Sequence, residues 1–270
     1  MKVYISADME GIASVCAPEE VNKSAPDYEL FADQMTYEVA CACEGAFEAG
    51  ATQVVVKDAH GTGRNIKHIK LPPRTTLIRG WSGHPYLMMQ GIDSSFDACV
   101  MLGYHSSAGA SGNPLAHTIS GSKVDKIILN GILATEFQIN AYISQSHEVP
   151  VVLLSGDDEL CETAKKTHQN ISTIHSFQGV GNSVISKHPL DVADEIRKEI
   201  VLALKKRSEC HTILPLKYST EITFTHPSFA YSSSFFPGAE KKDSKTITFS
   251  HKSFLEVMKF YKFTIFNDIS

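Results

Sequence analysis

Side chains with metal-binding chemistry recur at one place in the pattern of this chain, directly after an apolar run. Residues 2–7 (KVYISA) lead into Asp8-Met9-Glu10-Gly11, and residues 52–57 (TQVVVK) into Asp58-Ala59-His60-Gly61. Residues 96–102 lead into Gly103-Tyr104-His105, and residues 149–154 into Ser155-Gly156-Asp157-Asp158. Glu136 follows the turn signal Asn130-Gly131, near the start of a helical pattern. Imidazole and carboxylate are the donors that zinc and similar cations take. Asp8, Glu10, His60, His105 and Glu136 together make three carboxylates and two imidazoles. A closed single-ion shell needs only about four ligands. Five, with a carboxylate able to bridge, suit two ions about 3.5–4 Å apart with room for water. Such a pair acidifies a water and polarises a carbonyl near neutral pH, so the reaction class implied is metal-assisted hydrolysis.

His117 stands apart, in Leu115-Ala116-His117-Thr118-Ile119-Ser120-Gly121 after the glycine-rich loop 108–114. A loop histidine beside a metal edge can carry a proton or stabilise developing charge. Asp58 reads as a residue that holds a ligand histidine or caps a turn rather than as a ligand. A single Asp after a strand is ordinarily a cap or turn residue. The chain has 12 histidines, and His68, His147, His168, His175, His188, His211 and His251 lie in polar or helical surroundings that ask for no special role. Asp8-x-Glu10 alone would carry little; the convergence of several such groups is what singles out the set. HExxH, GxxxxGK[ST] and GxSxG are absent, and Gly179-x-Gly181 lacks the third glycine of a dinucleotide loop.

The elements that position these groups follow from the apolar pattern. Short continuous apolar runs at 2–7, 52–57, 96–102, 124–129 and 149–154 alternate with helical spacing at 27–49, closed by Gly50, and at 132–146. Continuous rather than alternating runs mean strands covered on both faces. The expected fold is α/β, a largely parallel central sheet flanked by helices. Ligands of such sheets bind beyond the carboxyl ends of the strands, where these side chains fall. Beyond about residue 158 the texture changes to alternating strand-like segments at 221–225 and 246–249, a helix at 191–206, a Ser, Pro and Gly-rich piece at 232–238 and a last helix at 253–261. The expected organisation is a metal-binding α/β catalytic domain over 1–158 and a C-terminal α+β lobe over 159–270.

Composition narrows the class. Of 270 residues, 43% are hydrophobic and 20% charged, with a formal charge of -5, too apolar and too weakly charged for disorder. A nucleic-acid binder would need a basic face, and no run reaches a membrane span of roughly 18 apolar residues. Asp8 and Glu10 interrupt the N-terminus before a signal-peptide core could form. The six cysteines show no CxxC spacing and read as reduced and mostly buried. The expectation is a soluble, cytoplasmic protein acting on a small molecule, without nucleic acid or membrane as partner.

At these residues the chain resembles the DppA-type zinc D-aminopeptidase family. The matching segments are SADMEGIASV (6–15), KDAHGTGRN (57–65), LGYHSSAG (102–109), LAHTISG (115–121), the stretch from Asn130 to Glu136, and VVLLSGDD (151–158), with FFPGAE (235–240) similar in the tail. The resemblance spans nearly the whole chain. It implies a binuclear zinc aminopeptidase with two Zn2+ per subunit, acting on short peptides with an N-terminal D-residue. By that resemblance Asp8 bridges both ions, Glu10 and His105 complete one site, and His60 and Glu136 the other. His117 matches the family's catalytic histidine, either a nucleophile or a group that stabilises charge and moves a proton. The resemblance further implies a homodecamer with its sites facing an inner channel. One departure stands out: where relatives carry a Lys and then an Arg, residues 176–182 here read SFQGVGN. Two other readings compete, a binuclear phosphoesterase, against which it counts that Arg64 and Arg79 are the only plausible arginine neighbours of the site, and a non-catalytic peptide-binding relative.

Overall fold

A computed structural model describes residues 1–266 of the chain. Its strands are β1 (Lys2–Ala7), β2 (Gln53–Asp58), β3 (Thr75–Ile78), β4 (Ala98–Tyr104), β5 (Val124–Leu129), β6 (Ile132–Leu133), β7 (Val151–Gly156), β8 (Ser172–His175), β9 (Phe177–Val180), β10 (Ser183–Ser186), β11 (Tyr218–Phe224), β12 (Glu240–Lys241) and β13 (Thr246–His251). The α-helices are α1 (Pro18–Val21), α2 (Tyr28–Glu48), α3 (Glu136–Ser146), α4 (Asp158–Thr167), α5 (Pro189–Lys205), α6 (Pro227–Ser233) and α7 (Phe254–Ile265).

Six strands form one sheet in the order β3-β2-β1-β4-β7-β8, with every neighbouring pair parallel. The chain starts in the middle of this sheet, winds outward one way, then returns and winds outward the other way. The reversal falls between β1 and β4, which is where such sheets open a crevice beyond their carboxyl ends. Alternate strand residues serve opposite layers. Val3, Ile5, Val54 and Val56 join the apolar cluster built with α2 and α5, whereas Tyr4, Val55, Cys99 and Met101 join the cluster built with α3, α7 and the second sheet. Burial on both faces is why these strands read as continuous apolar runs.

The second sheet is antiparallel, in the order β12-β13-β11-β5-β6. In β11 the residues Tyr218, Thr220, Ile222 and Phe224 are buried and alternate with more exposed ones, the mark of a sheet covered on one face. Helix α7 packs on β11 and β13 and also meets α3, which brings this lobe against the parallel sheet. A separate two-stranded hairpin is formed by β9 and β10. The cysteines are all free, and all but Cys16 are buried.

Two segments differ from the sequence reading. Residues 124–129 form a strand, but in the antiparallel sheet; Asp125 and Lys126 are exposed while Val124, Ile127 and Leu129 are buried. Residues 132–146 are not one helix. Asn130 (φ 51°) and Gly131 (φ 85°) make a tight turn with two successive left-handed residues, the geometry that suits a two-residue hairpin, and Ile132 and Leu133 pair back on β5. The helix begins only at Glu136, capped by the Thr135 hydroxyl, which accepts the Gln138 N–H at 3.0 Å. The two sheets also interleave along the chain. β5 and β6 precede residue 158 yet lie in the antiparallel sheet, whereas β8 and α5 follow it and pack with the parallel one. A cut between 158 and 159 therefore separates strands that share a sheet.

Candidate metal centre

Each sheet-edge donor stands within two or three residues of a strand end. Asp8 and Glu10 follow β1, His60 follows β2 and His105 follows β4. Glu136 opens α3 from the opposite wall. All five are buried, none more than 8% exposed. The loop after β1 lies so close to the end of β4 that a Cβ on Gly11 would stand 1.8 Å from the Tyr104 carbonyl oxygen. Gly103, at φ +66°, meets the Asp8 carbonyl oxygen in the same way from the other side. Glycine at both positions lets the two loops touch, and with them their ligands.

The donors come together in overlapping triads, Asp8/Glu10/His60, Asp8/His105/Glu136 and Glu10/His105/His117, with ligand atoms in each group within 4.8 Å of one another. His60 Nδ1 lies 2.8 Å from Glu10 Oε2 and 3.3 Å from Asp8 Oδ1. His105 Nε2 lies 3.6 Å from Asp8 Oδ2 and 3.5 Å from Glu136 Oε2. Asp8 is thus common to two of the triads, and Glu10 neighbours both His60 and His105. Proximity alone divides the remaining four differently from the division the family resemblance implies.

The second nitrogen of each imidazole fixes its orientation. His60 Nε2 donates to the Val21 carbonyl at 2.9 Å, leaving Nδ1 toward the carboxylates. His105 Nδ1 donates to the Ser106 carbonyl at 2.9 Å, leaving Nε2 inward. His117 Nδ1 donates to the Leu115 carbonyl at 3.1 Å and turns Nε2 to within 3.6 Å of Glu136 Oε1. The His105 and His117 rings stack with centroids 4.4 Å apart.

Around the ligands lies a layer of fixing contacts. Asp58 accepts the Asn65 and Ile66 N–H groups at 2.6 and 2.8 Å and the Asn65 side-chain amide at 2.7 Å. Asn65 in turn donates to the His60 carbonyl at 2.7 Å, so Asp58 shapes the loop that carries His60, as the sequence suggested. Asp157 caps α4 by accepting the Leu160 N–H at 2.9 Å and pins Ser106, beside His105, through its N–H at 2.7 Å and hydroxyl at 2.5 Å. Asn113 donates to the Glu10 carbonyl at 2.9 Å. Ile119 holds φ 67°, rare for a β-branched residue, and donates its N–H to Glu136 Oε1 at 2.7 Å.

Electrostatics identify what the site requires. Burial pushes the Asp8 carboxyl well above its usual range, and the Glu10 charge adds to this. Burial acts upward on Glu10 and Glu136 too, but the charge of His60 on the first and of His105 on the second brings both below the usual range. Burial acts downward on His60 and His105, yet Glu10 and Glu136 respectively hold these imidazoles well above theirs. Three buried carboxylates meet no Lys or Arg among the described residues, so only imidazolium balances them. His105 Nε2 is buried without a hydrogen-bond partner. A desolvated lone nitrogen aimed at converging carboxylates fits a divalent cation, which would satisfy that nitrogen and supply the missing positive charge.

The centre forms one side of a cavity of ≈460 Å³. Leu87, Met88, Ile139 and Met258 give it apolar walls, and Trp81 stands at its rim. The Trp81 ring lies over the Lys57 ammonium at 4.0 Å and donates its N–H to the Gly61 carbonyl at 2.8 Å. Lys57 is itself fully buried, and burial pulls its amine down to about 8. Trp81, Asn113 and the α7 residues carried no signal at the sequence level, because each arrives from a distant segment with no motif of its own. Arg64 and Arg79 line a separate surface cleft, away from the main cavity. Residues 176–182 span β9 and the turn into β10, and β9 lies on the glycine-rich loop: a Cβ on Gly179 would stand 2.4 Å from the Gly112 carbonyl oxygen.

A doubly wound sheet with buried carboxylates and imidazoles at its switch point defines a hydrolase of the metal-dependent type. The family model described as D-aminopeptidase, peptidase family M55, matches residues 1–263, and the chain belongs to that family as a metallo-aminopeptidase. It is 29% identical over 259 residues to a D-aminopeptidase of Bacillus subtilis (strain 168), covering 95% of this chain and 93% of that one. Its fold is similar to the Zn-dependent D-aminopeptidase DppA from Bacillus subtilis, described as a self-compartmentalizing protease, with a TM-score of 0.92 and 28% identity over 98% of this chain and 97% of that one.

Proposed function

We propose that this chain is a binuclear zinc aminopeptidase that removes the N-terminal residue of short peptides, dipeptides with an N-terminal D-residue above all. The observation that carries the reading is the meeting of Asp8, Glu10, His60, His105 and Glu136 in one buried cluster of overlapping triads beside the cavity, with His105 Nε2 unpartnered. Asp8 would be shared by the two ions, and the other four would hold one ion or the other. The chemistry supplied by divalent ions at such a site is Lewis acidity toward water and toward the scissile carbonyl. Zinc is the ion by which the structural relative is described.

The chain's own groups do the rest. His117, oriented by its bond to Leu115, presents Nε2 to the cavity beside Glu136. It is the group that moves a proton to the departing amine or, as imidazolium, stabilises charge that develops on the carbonyl oxygen. Direct nucleophilic attack by the same nitrogen is the alternative role. The Ile119 N–H holds one oxygen of Glu136 and leaves the other toward His105. Apolar walls keep the reacting groups out of bulk water, which strengthens each of these interactions.

Placement of Arg64 and Arg79 in a separate cleft speaks against phosphoryl transfer, which relies on cations around its equatorial oxygens. Chelation should abolish cleavage of D-Ala dipeptides and added zinc should restore it, with two zinc ions per chain by elemental analysis. Activity that persists through complete chelation overturns the proposal. His117→Ala should remove turnover while leaving metal content unchanged; peptide binding without cleavage by both proteins would favour the non-catalytic reading. Self-association also belongs to this reading, because the structural relative is described as a self-compartmentalizing protease, and sedimentation would report the oligomer. Among the described residues no helix is long and apolar enough to cross a membrane.

A further inference from the structure

We infer that Lys262 is the anchor for the free C-terminal carboxylate of the peptide, which makes α7 of the C-terminal lobe the gauge of substrate length. The inference rests on the aminopeptidase reading and adds the second end of the substrate to it. Met258, Lys262 and Phe266 recur every four residues, one turn apart on a single face of α7 and its end, and all three line the metal cavity. Lys262 is the one Lys or Arg among the described residues that line it. No carboxylate among the described residues is paired with Lys262, and its ammonium lies 5.0 Å from the centre of the Phe266 ring.

The physical need for such a group is plain. A short peptide with its first peptide bond at the metal centre must bring a charged carboxylate into the same cavity. Most of the wall there is apolar, contributed by Leu87, Met88, Ile139 and Met258. Burying a carboxylate against such a surface is costly unless a charged donor meets it. The carboxylates that line the cavity, Asp8, Glu10 and Glu136, gather at the metal side, and Lys262 is the lysine or arginine on its wall that can meet a carboxylate brought in by the peptide. A ligand whose C-terminus is an amide would leave that ammonium unmatched.

The test uses the zinc-loaded full chain with D-Ala-D-Ala and its C-terminal amide, on wild type, Lys262→Met and Lys262→Arg. Lys262→Met should raise KM for the free acid by about 10- to 100-fold, the worth of one charge-assisted hydrogen bond, with kcat unchanged. The amide should bind wild type and Lys262→Met alike, and Lys262→Arg should keep most of the acid preference. Equal effects on acid and amide, or no effect on either, overturn the inference. Calorimetric binding of the same pair to His117→Ala, with and without Lys262→Met, reads the anchor apart from turnover. An acid preference that vanishes with the lysine supports the anchor even where no cleavage occurs, and equal affinities for acid and amide overturn it.

Discussion

Asp157 offers the sharpest test of how the centre is held, because it touches no substrate and yet governs a ligand. Asp157→Ala removes the cap of α4, a loss of about 1 kcal/mol for a typical N-cap. It also leaves the Ser106 N–H without a partner in a buried place, about 1–3 kcal/mol more. The Ser106 hydroxyl loses its 2.5 Å acceptor as well. The sum is about 3–5 kcal/mol, a large share of the stability of an ordinary domain. Ser106 is also the residue whose carbonyl fixes the His105 tautomer. Once Ser106 is free to move, zinc affinity should fall about 10- to 100-fold, as it does when a ligand's supporting contact is lost elsewhere. Urea unfolding of the metal-free protein reads the first effect and competition with a chromogenic chelator reads the second. Ser106→Ala gives a milder comparison, since it keeps the N–H bond to Asp157 and the carbonyl bond to His105. If Asp157→Ala loses stability while zinc affinity stays at the wild-type value, the claim that Asp157 positions His105 is refuted. If stability falls by less than about 1 kcal/mol, the cap and the buried N–H have both been overvalued.

Two further outcomes follow from the same structure. Gly11→Ala forces a methyl onto the Tyr104 carbonyl, so the loops bearing Asp8, Glu10 and His105 must separate; metal binding should be lost well before the fold is, and wild-type zinc content in this variant would refute the close contact. Glu38, buried on α2 with Oε2 unpartnered, is raised by burial to about 7. A raised carboxyl contributes stability fully below its unfolded value of 4.5 and loses it as pH climbs through 7, about 3 kcal/mol in all. Glu38→Gln should therefore match wild type near pH 4 and exceed it by up to that amount at pH 8 in chemical unfolding; parallel pH profiles would contradict the assignment.

How far the sequence could be read depended on how each residue reaches the site. Asp8, Glu10, His60 and His105 were legible because a parallel sheet sends every strand's carboxyl end to one edge, so an apolar run followed by a donor already implies a shared location. Glu136 was legible as a donor but not in its setting: the apolar pattern at 132–146 hid a hairpin turn, and only pairing between β5 and β6 distinguishes the two. His117 approaches Glu136 through a left-handed Ile119, a conformation that a β-branched residue gives no hint of adopting. Lys262 lies beyond every motif and enters through the packing of α7 against α3, a contact between segments more than a hundred positions apart. Arg64 and Arg79 failed in the opposite sense, near His60 in sequence or in the sheet but turned to another surface.

Topology supports the proposed sharing of Asp8 between two ions. β1 is the one strand that lies between β2 and β4, so only a side chain at its carboxyl end has His60 on one side and His105 on the other. Asp8, first after β1 and short, stays in the plane between them, 3.3 Å from one imidazole and 3.6 Å from the other. Glu10 sits two residues further along and needs its extra methylene to return to the centre. Two ions held here would therefore share a carboxylate from the end of β1, and Asp8, in triads with both His60 and His105, is the one we propose. Asp8→Glu would keep the charge and the donor type while displacing the shared oxygens by a methylene toward either histidine. Its effect should resemble loss of both ions together, where His60→Ala or Glu136→Ala would weaken one more than the other.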